Sequence, residues 1–268
     1  MNVTNSSRSR CVLWAFAIGL IAAPGRPSTG VETNLSPLKY EEPRFLTGRI
    51  YAPGADTNLL YKFSRQTTRS GKTLQVLREY SYPNGHLAAR ERVVYEGDNL
   101  VSYVLEELQI GARGQAQIRT NSQAPARAQI LFEYTKDARL EGKAKTNSET
   151  FQSETLVNDM LAAFLVSHWD ALLKGTEVKC RYMVLPRLET VGFTFRKSSE
   201  STWKERPVII LKMEATSPII AALVEPLFFT VEKEAPHRVL KYVGRTTPKL
   251  KSGHKWKDLD AVTIFDWR

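Results

Sequence analysis

Long strand-like segments separated by short turns constrain the fold of this chain more than any other feature. The first four are Leu59–Arg69, Thr73–Tyr82, His86–Tyr95 and Leu100–Ile110. Turn sequences join them, with Pro-Asn-Gly at 83–85 and Gly-Asp-Asn at 97–99. Short connections between long strands predict antiparallel neighbours. Strands of this length twist and curl strongly, which favours a barrel or half-barrel over a flat sheet.

A second set of strand-like segments occupies the rest of the chain. Its members are Gln129–Lys136, Arg139–Lys145, Glu177–Leu185, Thr190–Lys197, Trp203–Glu214, Phe228–Lys233, Arg238–Thr246 and Asp260–Trp267. The first two read as a hairpin with its tip at 137–138. Between the two sets, Gln109–Ala126 is rich in Gly, Gln, Ala and Asn, and it predicts a loop or an irregular edge.

One segment has the period of an amphipathic helix. From Leu156 to Lys174, apolar residues recur at helical spacing and form a broad stripe. Ser153 or Thr155 is expected to cap the start of this helix, and Gly175 is expected to end it. Asp159 is expected on the opposite, polar face. We expect the stripe to pack on the concave face of the curled sheet.

A second, shorter helix is predicted between two prolines. Ser217 and Pro218 suit its start, and Pro226 ends it. The residues between them are almost wholly apolar, so the helix should be buried or should cover an apolar cavity. The predicted fold is therefore mainly β (α+β), with a long-stranded antiparallel sheet that curls into a half-barrel or barrel. This sheet packs on one main amphipathic helix and one short apolar helix.

The N-terminal segment is typical of a cleavable secretory signal peptide. Arg8 and Arg10 precede an apolar run from Cys11 to Pro24, which is shorter than the roughly 20 residues of a membrane span. We divide the chain into a signal peptide at 1–30, a polar leader at 31–45 and a single β-rich domain at 46–268. The alternatives are an uncleaved N-terminal anchor and two β halves joined through the main helix.

Export determines how the charge and the cysteines are interpreted. We expect a periplasmic protein, or alternatively a secreted one, with no transmembrane segment in the mature chain and no nucleic-acid partner. Removing residues 1–30 lowers the formal charge from +10 to +7. This charge suits anionic lipid head groups or acidic polymers, or it serves solubility alone. The mature chain keeps Cys180, which we interpret as a buried structural thiol.

The motifs of common enzymes are missing from the sequence. There is no P-loop, no Gly-x-Ser-x-Gly, no His-Glu-x-x-His and no Cys-x-x-Cys. The histidines His86, His168, His237 and His254 are far apart. We therefore assign no catalytic residue, no metal ligand and no cofactor. His168 lies on the apolar stripe of the main helix, where a hydrogen-bonded core histidine is the expected role.

The densest basic stretch lies between the last two predicted strands. We propose that it contacts anionic head groups or another surface through Lys249, Lys251, Lys255, Trp256 and Lys257. Lysines next to an interfacial tryptophan are typical of segments that meet phosphates at a membrane surface. A solvated loop between two strands is the alternative.

Two short sequences carry a resemblance to a known group. The main helix ends in Trp-Asp-x-Leu-Leu-x-Gly at Trp169–Gly175, and Pro-Arg-Leu-Glu-Thr follows at Pro186–Thr190. Together with the order of the segments, they resemble uncharacterised periplasmic proteins of the lipoprotein-carrier-like half-barrel type. That resemblance implies a convex sheet that clasps helices over an apolar cavity, which holds an acyl chain or another hydrophobic ligand.

The excess of apolar helix surface predicts a non-enzymatic protein that binds a hydrophobic or amphiphilic ligand in the cell envelope. The candidate residues of the cavity or its lid are Phe164, Trp169, Ile219, Ile220, Leu223 and Leu227. The alternatives are an envelope structural or assembly protein that acts through protein partners, and a hydrolase with a dispersed active site. A large cavity would favour the first hypothesis, a filled core the second, and a cleft with converging histidines and carboxylates the third.

The signal-peptide hypothesis predicts the start of the mature chain. Because the apolar run is followed by small residues and helix breakers, the N-terminus of exported protein should lie between Gly25 and Val31. Intact-mass analysis of protein recovered from the envelope or the medium measures it. A chain that still begins at Met1 would contradict the hypothesis.

Overall fold

The computed structural model describes residues 44–54, 57–121, 124–137 and 143–267, which form fifteen strands and several short helices. The strands are β1 (Phe45–Tyr51), β2 (Leu59–Ser70), β3 (Thr73–Ser81), β4 (Leu87–Glu96), β5 (Asn99–Glu107), β6 (Ala112–Asn121), β7 (Ala124–Thr135), β8 (Lys145–Thr150), β9 (Thr155–Leu156), β10 (Val178–Val184), β11 (Glu189–Trp203), β12 (Arg206–Ala215), β13 (Leu227–Glu232), β14 (Val239–Ser252) and β15 (Lys255–Asp266). The helices are α1 (Leu161–Ser167), α2 (Trp169–Leu173) and α3 (Pro218–Ala221), and 3-10 turns cover Asn158–Met160 and Leu185–Arg187. The predicted signal peptide and residues 31–43 of the predicted leader lie outside the described residues.

All fifteen strands belong to one sheet. Its order is β8-β7-β6-β5-β4-β3-β2-β1-β15-β14-β13-β12-β11-β10-β9. Two meanders therefore meet where the first strand pairs with the last, and every pair is antiparallel except β9 with β10. Within this order, the four segments predicted first in the sequence are β2 to β5. The predicted fold class, a mainly β chain with a long curled antiparallel sheet, is confirmed.

The two ends of the sheet approach each other through side chains. Glu149 on β8 accepts hydrogen bonds from the backbone N–H of Thr190 at 3.0 Å and from its hydroxyl at 2.7 Å. Close by, Asn147 on β8 donates to the carbonyl of Leu188 at 2.9 Å. The sheet therefore curls far enough for β8 to contact the start of β11, which encloses an interior.

The helical segment between β9 and β10 fills much of that interior. Phe164, Leu165 and Leu172 are fully buried, and Trp169 is almost so. They join one hydrophobic core with strands from both meanders, and the ring of Phe164 lies 5.5 Å from that of Phe195 on β11. The helical stripe therefore packs against the inside of the sheet, as predicted.

The single predicted helix is divided into a 3-10 turn and two short helices. The break falls at His168, where Ser167 Oγ donates to the carbonyl of Phe164 and His168 Nδ1 lies 3.0 Å from the same oxygen. The same carbonyl also accepts the helical hydrogen bond from the backbone N–H of His168 at 3.2 Å, so local side-chain contacts and the helix share this acceptor at the break. Thr155 lies in β9 and does not cap a helix. Gly175 ends α2 as predicted, with a φ of 81°.

The predicted loop at Gln109–Ala126 is wrong, because most of it forms β6 and the start of β7. The inward residues of β6 are small, namely Ala112, Gly114 and Ala116, so the apolar signal of a strand is weak. A Cβ atom on Gly114 would lie 2.9 Å from the Cβ atom of Leu185, in the 3-10 turn after β10. The small residues are therefore required by close packing across the barrel. β1 was also not predicted.

The short apolar helix is neither buried nor a cover over a cavity. α3 has only four residues, and Ile219 is 77% exposed and Leu223 is 74% exposed. Ile220 is half-buried and packs against the core, and Leu227 is buried at the start of β13. A single turn between two strands can bury only one side, so the other apolar side chains project outward.

Among the described residues, no helix is both long and apolar enough to cross a membrane.

Candidate functional site

A row of charged side chains crosses the inner face of the first meander. Arg65 on β2 pairs with Arg78 on β3, and Arg78 pairs with Glu91 on β4. Residues that oppose each other in an antiparallel sheet lie on the same face, so all three point inward. Charges are rarely buried unless they are paired, so this row requires partners inside the barrel.

Asp159, in the 3-10 turn before α1, is the partner of Arg65. Arg65 Nε donates to Asp159 Oδ1 at 2.6 Å, and Tyr95 Oη donates to Asp159 Oδ2 at 3.0 Å. The side chains of Arg65 and Asp159 are only 8% and 1% exposed. The predicted position of Asp159 on a polar, outward face is therefore wrong. The sheet surrounds the helical segment at this depth, so both of its faces meet protein.

Glu91 is the second buried carboxylate and joins three other parts of the fold. It accepts hydrogen bonds from Tyr80 Oη at 3.1 Å and from Asn158 Nδ2 at 2.8 Å, and Thr247 Oγ1 also donates to it. Arg78 Nε lies 3.5 Å from Glu91 Oε2. Thr247 reaches this point because the β14–β15 pairing is irregular between Arg245 and Lys249, and a bulge re-aims side chains.

The electrostatics of this cluster keep its acid ionised and its tyrosines protonated. Burial alone would raise the pKa of Asp159, but Arg65, Arg78 and the Tyr95 hydroxyl together lower it below its ordinary value of 3.8. Burial raises the pKa values of Tyr80 and Tyr95 above the ordinary range. Arg65 and Arg78 therefore stabilise the charged form of Asp159, and the neutral tyrosines act as hydrogen-bond donors.

A cavity of about 90 Å³ adjoins the cluster. Its polar lining includes Arg65, Arg78, Asn158, Asp159, Arg245, Thr246 and Thr247. Its apolar lining includes Leu46, Phe63, Leu161, Ala162, Phe229, Val239, Phe265 and Trp267. Some of these residues are buried and others, such as Ala162 and Trp267, are half-exposed, so the cavity reaches the surface. Such a space accepts a small polar group at its base and apolar groups beside it.

The cavity differs from the one that the sequence led us to expect. It is smaller than a cavity of about 150 Å³, which holds benzene, so it does not enclose an acyl chain. None of the six predicted cavity or lid residues lines it. Phe164 and Trp169 belong to the core, and Ile219 on α3 and Leu223 in the turn after it are exposed. The volume that the amphipathic stripe was expected to leave open is filled by its own side chains.

The predicted basic stretch is a strand hairpin, because β14 continues to Ser252 and β15 begins at Lys255. Lys251 pairs with Trp256, and the Lys251 ammonium lies 5.8 Å from the indole ring. Lys249 Nζ contacts Glu107 at 3.1 Å and Asp258 at 2.9 Å. Lys255 and Lys257 are exposed. The alternative of a solvated loop is therefore wrong, although the hairpin surface remains largely open to solvent.

The histidines and Cys180 do not converge on the cavity. His168 lies beside Phe164, and the His237 ring stacks on Trp169 at 4.1 Å. Burial raises the pKa of Cys180 to about 12, so this thiol stays protonated at neutral pH. Within the described ranges, no group of three or more His, Cys, Asp or Glu side chains could hold a metal ion.

The charge cluster was missed in the sequence although a signal for it exists. In β2 and β3, the inward positions carry Phe63 and Tyr80 and then, two residues away along each strand, Arg65 and Arg78. In β4, Glu91 stands between Ala89 and Val93 at alternate positions. A charge in an apolar register position is rare enough to mark a buried polar site. Asp159 had no such signal, because a carboxylate in a first helical turn is ordinary.

Replacing Asp159 tests how much the buried ion pair between Arg65 and Asp159 contributes to the free energy of unfolding. Asp159→Asn should lower the free energy of unfolding at pH 7 by about 3–5 kcal/mol, because it removes the carboxylate that pairs with the buried guanidinium of Arg65. The pKa of Asp159 is lower in the folded protein than its ordinary value of 3.8. Its contribution to the free energy of unfolding is therefore present above pH 3.8 and is lost as the pH falls through the folded-state pKa. The variant should lack this acid-dependent loss. Urea unfolding from pH 7 to pH 3 measures both effects.

The control is Asp170→Asn, the same substitution at an exposed position in α2. It should change the free energy of unfolding by less than about 0.5 kcal/mol. Equal stabilities for Asp159→Asn and the unmodified protein at pH 7 would contradict the assigned role of Asp159.

Comparison with known proteins finds similarity at the level of structure and not of sequence. No protein-family model matches the sequence, and a comparison with curated proteins gives no match. Among solved structures, the chain is similar to a beta-barrel-like protein of a domain of unknown function, DUF1849, from Brucella abortus. The similarity covers 83% of this chain and 94% of that one, with 7% identity and a TM-score of 0.40.

Proposed function

We propose that this protein is a non-enzymatic binding protein of the cell envelope whose ligand is a small amphiphile. The cavity carries the proposal, because it combines a polar base with an apolar flank and reaches the surface. Its location in the envelope rests on the signal-peptide pattern around Arg8 and Arg10.

The lining determines which end of the ligand would enter. Three arginines and one carboxylate line the cavity, namely Arg65, Arg78, Arg245 and Asp159. Arg78 has a buried Nε that lies 3.5 Å from Glu91 Oε2 and makes no hydrogen bond with a described residue, while its Nη2 donates to Tyr80 Oη at 3.3 Å. A carboxylate or phosphate would gain charge-assisted hydrogen bonds there. The ligand therefore enters with a polar, anionic end group.

The volume limits how much of the ligand the cavity can hold. The cavity of about 90 Å³ is smaller than one of about 150 Å³ that holds benzene, so it accommodates a head group and little more. The apolar remainder would lie along Leu161, Phe265 and Trp267 at the half-exposed side of the cavity. This supports a ligand with one short chain or ring and not a diacyl lipid enclosed in the barrel.

Filling the half-exposed side tests the proposal without touching the charge cluster. Ala162→Phe places a ring in the lining from α1, and it should weaken the binding of a fluorescent fatty-acid probe at least tenfold. Ala163→Phe is the matched control, because Ala163 is the next residue of α1, is half-exposed and does not line the cavity. It should bind like the unmodified protein. Fluorescence titration measures the affinity, and thermal unfolding verifies that both variants are folded.

Two results would contradict the proposal. One is equal loss of probe binding in both variants, which would place the probe elsewhere. The other is an unmodified protein that binds no fatty acid, phospholipid or isoprenoid probe and releases no small molecule in native mass spectrometry. That second result would favour the alternative of an envelope assembly protein that acts through protein partners.

A further inference from the structure

Two exposed elements project from the same end of the barrel. α3 connects β12 to β13, and Leu227 at the start of β13 pairs with Met213 near the end of β12. At the same end of the sheet, the next residue of β13, Phe228, pairs with Val243 on β14. β14 then continues past Val243 to the tip of the β14–β15 hairpin. The tip of α3 and the tip of the hairpin therefore lie at one end, which we call the α3 end.

The hairpin is held in place at its base. The carbonyl of Lys249 accepts hydrogen bonds from Tyr61 Oη at 2.6 Å and from Gln109 Nε2 at 3.0 Å. Lys249 Nζ lies 3.1 Å from the buried carboxylate of Glu107. Lys249 thus anchors the hairpin to β2 and β5, and it does not belong to a free basic surface.

The register of the hairpin separates its remaining residues into two faces. Lys249 pairs with Asp258 and Lys251 with Trp256, so these four share the face that turns toward Glu107. Leu250 pairs with Lys257, and Ser252 pairs with Lys255, on the opposite face. Leu250 is 41% exposed, and both lysines are exposed. Lys255 and Lys257 form no ion pair with any residue in the described part of the chain.

The α3 end therefore combines exposed apolar side chains with unpaired positive charge. Ile219 on α3 and Leu223 in the turn after it are exposed, and Leu250 lies beside two lysines on the hairpin. The segment from Thr246 to Lys257 contains four lysines and no acidic residue. Apolar side chains enter the hydrocarbon boundary of a bilayer, while lysines remain at the level of the phosphates. Charge complementarity thus selects an anionic surface as the partner.

We propose that the α3 end docks on the surface of a bilayer that contains anionic phospholipids. Ile219 and Leu223 insert at the head-group boundary, and Lys255 and Lys257 contact lipid phosphates. Docking is peripheral and depends on salt, because screened lysine–phosphate attraction supplies part of the affinity. The cavity and the ligand proposed above play no part in this contact.

Flotation of the mature protein with vesicles tests the proposal. Vesicles of phosphatidylglycerol and phosphatidylcholine should carry the protein upward, and vesicles of phosphatidylcholine alone should not. Lys255→Glu with Lys257→Glu should lower the bound fraction at least tenfold, since each lysine near an anionic surface contributes roughly fivefold. Ile219→Ser with Leu223→Ser should also abolish most of the binding, although it leaves the charge unchanged.

The control is Lys72→Glu with Lys174→Glu. Both lysines are exposed and lie at the opposite end of the barrel, so the pair makes the same change in net charge away from the α3 end. It should float like the unmodified protein. Ala162→Phe should also float normally, which separates docking from ligand binding.

Two outcomes would overturn the proposal. If the control pair lost as much binding as the Lys255 and Lys257 pair, net charge alone would account for the attraction. If the unmodified protein did not float with anionic vesicles, the exposed apolar side chains of α3 would indicate a protein partner instead.

Discussion

The ion pair between Arg65 and Asp159 determines how the rest of the interior is arranged. It joins a strand of the first meander to the turn that starts the helical segment, and both side chains are almost fully buried. Breaking such a pair costs about 3–5 kcal/mol, a large fraction of the stability of an ordinary domain. The helical segment must therefore enter the barrel at this point, and its apolar stripe then faces the second meander, as Phe164 against Phe195 illustrates.

Anchoring the helical segment inside the barrel has a consequence for function. Its side chains occupy the space that an open half-barrel would offer to an acyl chain, and only a small cavity remains beside the charges. The polar network that holds the segment is also the base of that cavity, because Asn158 and Asp159 belong to both. If the cavity binds the proposed ligand, its specificity and the stability of the fold depend on the same groups, and substitutions at Arg78 or Asn158 would affect both.

Local patterns in the sequence predicted most of the long strands, several of the turns and the apolar stripe, because these depend on residues close together in the chain. They did not predict β6, whose small inward residues are required by Leu185 across the barrel. They also placed Asp159 on the outside, since its partners Arg65 and Tyr95 come from strands far away in sequence. The exposure of Ile219 follows from the shortness of α3, which composition does not reveal.

A double-mutant cycle on Arg65 and Asp159 measures how strongly the two side chains stabilise the fold together. The free energies of unfolding of Arg65→Met, Asp159→Asn and the double variant, measured in urea at pH 7, give the coupling between the two side chains. We expect a coupling of at least about 2 kcal/mol, with the double variant more stable than the sum of the single losses indicates. Additive losses within about 0.5 kcal/mol would show that the two residues act independently, and would contradict this expectation.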